Sequence, residues 1–106
     1  MASTALQSTF SPDYFLTNHA RSRMFSRAIS ADEIDLVISF GRVIHTRGAA
    51  IYVVGHKEVS RYQKHGVNLF RCEGVHVVCS PDGAILTVYR NNDLSALRDK
   101  ARRSWH

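Results

Sequence analysis

The sequence predicts an α+β domain: two N-terminal helices, then a twisted antiparallel β-sheet of about four strands, then a short C-terminal helix. Three observations predict it. Ser30 and Glu33 stand three apart before an apolar run that closes at Gly41, the pattern of a capped helix. Two runs rich in β-branched residues, 42–47 and 49–55, meet at Gly48. Ser80-Pro81-Asp82-Gly83 is a turn between two more such runs, 75–79 and 84–90.

The elements follow in order. Residues 1–16 read as a loose Ser/Thr-rich tail. Ser11-Pro12-Asp13 is a possible helix start, but Thr17 is the better cap, for a helix from Asn18 to about Arg27. Its four-residue spacing sets His19, Arg23 and Arg27 on one face. Ser30 opens the second helix, where Asp32, Glu33 and Asp35 meet the positive end of the helix dipole. Residues 56–64 are polar with helical spacing, a short helix or a structured loop. Residues 67–73 fit either a strand or an irregular connection. In the hairpin a bulge is expected at Gly83, with Ile85, Thr87 and Tyr89 sharing one face and Leu86 and Val88 the other. Asp93 caps the C-terminal helix, which ends in a basic tail at 106.

With 106 residues the chain is one domain and buries roughly 60–70% of its unfolded surface. No apolar run approaches the roughly 18 residues that span a bilayer, so no membrane association is expected. The first residues lack a basic start and an apolar centre, so a cytoplasmic protein with reduced Cys72 and Cys79 is expected. The net charge of +5 favours a polyanionic partner.

The motifs exclude several chemistries. Neither CxxC nor HExxH occurs, and three of the nine acidic residues crowd the start of the second helix, where capping accounts for them. Neither a metal site nor a cofactor is therefore expected. There is no glycine-rich phosphate loop and no GxSxG. His19 with Arg23 is the best polar pair. An imidazole moves protons near neutral pH, and a guanidinium holds the charge that develops on phosphate. The bland alternative is a solvated basic helix face. His45, His56, His65 and His76 each have such a default, although His76 is also placed to approach the polar face of the hairpin.

The run His19-Ala20-Arg21-Ser22-Arg23-Met24, followed by Arg27, Ile29-Ser30 and the acidic helix closing at Gly41, resembles the opening of the DUF4258 family. Residues 52–59 and the ending from Val75 through Ile85-Leu86-Thr87-Val88-Tyr89-Arg90-Asn91 are similar to later blocks of the same family, so the likeness spans 17–92. It implies kinship with RelE-like and BrnT-like ribonuclease toxins of the barnase–colicin–RelE group. By that likeness His19 and Arg23 face Thr87, Tyr89 and Arg90 across a cleft. The implied activity is metal-independent RNA cleavage by 2′-hydroxyl attack. His19 is the acid or base and Arg23 and Arg90 hold the phosphate. Tyr89 donates a proton or stacks a base, and Thr87 orients the phosphate. Arg27, His76, Arg61 and Lys64 are further positions expected to meet nucleic acid, and a proteinaceous antitoxin is the implied partner. Residues 57–74 depart from a minimal toxin as an insertion. The alternative is a non-catalytic module of the same fold that binds nucleic acid or protein.

Overall fold

A computed structural model describes residues 14–91. The elements are β1 (Phe15–Leu16), α1 (Asn18–Ser26), α2 (Ala31–Phe40), β2 (Arg42–Thr46), β3 (Ala49–Val53), α3 (His56–Gln63), a 3₁₀ turn (Phe70–Cys72), β4 (Val75–Cys79) and β5 (Ala84–Arg90). The α+β class stands, but the expected arrangement of two helices, four antiparallel strands and a C-terminal helix does not. The sheet has five strands in the order β1-β5-β4-β3-β2. Its first strand precedes the helices and runs parallel to β5, with Phe15 opposite Ala84 and Leu16 opposite Ile85. Tyr14-Phe15-Leu16 suits a short extended segment, but a strand of two residues is too short to show alternation and its partner lies far along the chain, so nothing local marks its place in the sheet. The third helix is α3, between β3 and β4. The expected helix from Asp93 and most of the expected tail lie outside the described residues.

The local signals that open α1 and α2 are hydroxyl caps. Thr17 accepts the Ala20 N–H at the start of α1. Ser30 and Glu33 form the full capping box of α2, each side chain taking the other's backbone N–H. Gly41 ends α2 with an ordinary φ of −72°. It is glycine for space, because a Cβ there would lie 2.5 Å from the Val37 carbonyl oxygen and 2.7 Å from that of Val53.

One face of the sheet packs with the helices around Ala20, Ile34, Val37, Val54, Val75, Val77, Cys79, Ile85 and Val88. The other face carries Ile51 and Val53 with Ile44 and Val78. Ile85 and Val88 reach the same core although three residues apart, because β5 holds a bulge. Val78 pairs Thr87 while Cys79 pairs Ile85, which leaves Leu86 as the extra residue, 38% exposed. The bulge is therefore at Leu86 rather than Gly83. It breaks the expected alternation, so that Thr87 and Tyr89 turn away from Ile85. Among the described residues no helix is long and apolar enough to cross a membrane.

Candidate active-site groove

The site is built on the outer edge of β5. β1 pairs only with its first residues, and α1 lies along the rest. Thr17 Oγ1 donates to the Ile85 carbonyl at 2.8 Å, and Arg27 donates to the Val88 carbonyl at 2.9 Å. These two bonds hold each end of α1 against β5. They set the stripe of His19, Arg23 and Arg27 beside Thr87 and Tyr89.

The result is an open groove of about 600 Å³ lined by His19, Arg23, Arg27, Thr87, Tyr89, Arg90 and Asn91. It gathers the five residues expected to do chemistry, together with Arg27. Arg23 Nε donates to His19 Nε2 at 3.4 Å. The accepting nitrogen cannot carry the proton, so in this arrangement the neutral ring has its proton on Nδ1. Arg90 lines the groove but is tied to its rim: it donates to the Arg71 carbonyl at 2.8 Å and pairs with Glu33 at 3.8 Å. Burial pushes the Tyr89 phenol above its ordinary range, so the group stays protonated near neutral pH.

Three other expected positions lie elsewhere. Arg61 is on α3 and Lys64 immediately follows it; both are exposed and neither lines the groove. His76 is 2% exposed, so it does not present itself to a nucleic acid. Its ring stacks on that of Tyr89, centroids 4.6 Å apart and 18° between planes. Sequence reasoning missed that stack, which depends on β4–β5 register, and missed Asn91 as a groove residue. Asn91 had a signal, a polar residue directly after the cation that ends the strand. It also missed Glu58, whose carboxylate is buried against the Gly55 N–H at 2.8 Å and beside Arg42 at 3.6 Å. Among the described residues no cluster of three His, Cys, Asp or Glu side chains is placed to hold a metal ion.

Fold and groove together define a small α+β protein with a cationic cleft at a sheet edge. Residues 16–90 match the family described as a domain of unknown function, DUF4258, and the chain belongs to that family. No curated protein and no solved structure matches it.

Proposed function

We propose that the protein is a metal-independent endoribonuclease that binds RNA in this groove and cleaves it by attack of a ribose 2′-hydroxyl on the adjacent phosphate. The observation that carries the reading is the His19–Arg23 pair inside a groove that, among the described residues, is lined by three arginines and no carboxylate. A phosphodiester is a stronger acceptor for a guanidinium than a neutral imidazole nitrogen is. Arg23 therefore turns to the scissile phosphate when RNA enters, and His19 Nε2 is left to take the 2′-hydroxyl proton. The 2′-oxygen bonds to phosphorus as the bond to the 5′-oxygen breaks. The leaving oxygen takes its proton from water, giving a 2′,3′-cyclic phosphate and a 5′-hydroxyl.

Arg23 and Arg27 stabilise the charge that grows on the non-bridging oxygens. Thr87 orients the phosphate, and Arg90 adds its charge from the rim. The raised pKa of Tyr89 suits it to donating a hydrogen bond rather than exchanging a proton near neutrality. From the sequence resemblance to RelE-like and BrnT-like toxins we further propose a proteinaceous antitoxin as the partner.

The test is cleavage of short RNAs by the purified chain in EDTA, with the new 3′ end identified. His19→Ala loses about 10²–10⁴-fold in rate while remaining folded, and the wild-type product carries the cyclic phosphate. If wild type cleaves no RNA faster than His19→Ala does, the enzyme reading falls and the groove is a nucleic-acid-binding surface.

A further inference from the structure

We propose that Tyr89, backed by the buried ring of His76, is a base-stacking platform that restricts the groove to single-stranded nucleic acid. This rests on the reading of the groove as an RNA site and names the form of RNA it takes. His76 and Tyr89 are direct cross-strand partners, so both rings stand on the same side of the sheet. Their separation of 4.6 Å and angle of 18° make them a stacked pair.

The lower ring is fixed. His76 Nδ1 donates to the Gly74 carbonyl at 2.8 Å, and that carbonyl also accepts the Asn91 N–H at 2.7 Å. One oxygen thus anchors both the His76 ring and the chain just beyond Tyr89. Gly74 itself has a φ of +85°, a conformation that glycine adopts without strain. The Tyr89 ring is held before any ligand arrives, so little freedom is lost when a base meets it.

The upper ring has one face to offer. β4 flanks β5 on one side and α1 on the other. His76 covers the face of Tyr89 turned toward β4, which leaves the other face on the side of His19 and Arg23. A flat aromatic face beside a row of guanidinium groups is the combination that takes a single strand, with the backbone along the cations and a base on the ring. In a duplex the base faces are already covered by their neighbours, and recognition runs through the groove and the backbone instead. The platform therefore selects loops, ends and unpaired strands.

The test uses a 2′-O-methyl RNA hexamer carrying one 2-aminopurine, which cannot be cleaved and whose fluorescence falls on stacking. Wild type quenches it, and so does Tyr89→Phe, which loses the hydroxyl but keeps the ring. Tyr89→Leu abolishes the quenching and loses about ten-fold or more in affinity. His76→Phe keeps a ring beneath Tyr89 and retains the quenching, whereas His76→Val, checked for folding by its melting curve, loses it. Annealing the hexamer to its complement removes the dependence of binding on Tyr89. Quenching that survives in Tyr89→Leu, or a duplex bound as tightly as the single strand, overturns the platform. The probe carries no nucleophile, so full quenching without cleavage of ordinary RNA would sink the enzyme reading alone. Cleavage without any Tyr89-dependent stacking would sink the platform alone.

Discussion

One hydroxyl both starts α1 and fastens it to the sheet, and its removal measures how far the groove depends on that join. Thr17 Oγ1 accepts the Ala20 N–H at 3.1 Å and donates to the Ile85 carbonyl at 2.8 Å. Thr17→Val keeps the shape of the side chain and removes both bonds. Loss of a cap costs about 0.5–2 kcal/mol. The upper half of that range applies, because Ala20 is fully buried and water replaces the lost acceptor poorly. The second bond adds less than about 1 kcal/mol, since the Ile85 carbonyl keeps the Thr17 N–H at 3.2 Å. The sum is about 2 kcal/mol, which lowers the melting temperature of a domain this size by about 8 °C. Thermal melting followed by circular dichroism reads it directly. Thr17→Ser keeps both bonds and loses at most about a quarter as much. His19 lies two residues beyond the cap, so cleavage by Thr17→Val falls further than its folded fraction explains. A Thr17→Val protein that melts within about 2 °C of wild type would refute the claim that this hydroxyl pins α1.

Two further expectations concern the frame around the groove. Gly41→Ala forces a Cβ against the backbone oxygens of Val37 and Val53 and costs about 1–3 kcal/mol or more; a denaturation midpoint unchanged from wild type would contradict the close approach. Burial pushes both Cys72 and Cys79 up to about 11, so their contribution to stability is complete below about pH 8.5 and is lost as pH rises toward 11, when the unfolded chain sheds protons that the folded one keeps. Urea midpoints at pH 8 and pH 10.5, compared between wild type and a Cys72→Ala/Cys79→Ala chain, isolate that loss as a steeper fall in wild type.

What the sequence made legible was local. Thr17, the Ser30–Glu33 box, Gly48 and the Ser80–Gly83 turn each act over a few residues, and each appears where its pattern lies. What it hid was register and long-range pairing. The bulge at Leu86 has no composition of its own, yet it decides which residues of β5 meet the core. β1 is two residues long, yet it sets α1 beside β5. Glu58 falls in a polar segment with helical spacing, which does not mark it as buried; its carboxylate is buried where it takes the Gly55 N–H that begins α3. His76 reads as a strand histidine with a bland default, and only the β4–β5 register reveals that it lies against Tyr89.

The same contacts that blunt the edge of β5 also bring the cations to it. An unpaired edge exposes carbonyls that invite another strand. Here Thr17 answers the carbonyl of Ile85, and Arg27 that of Val88. Arg27 thus has a structural reason to be basic and long. Arg90 has one too, in its bonds to Arg71 and Glu33 across the helix side of the sheet. Arg23 has none of comparable strength. Its contact among the described residues is the 3.4 Å approach to His19, a long bond between a cation and a neutral ring, exposed to solvent and worth little to stability. The architecture accounts for two of the three groove arginines and leaves the third beside the imidazole. That third arginine is the one the proposed function turns from the imidazole to the phosphate.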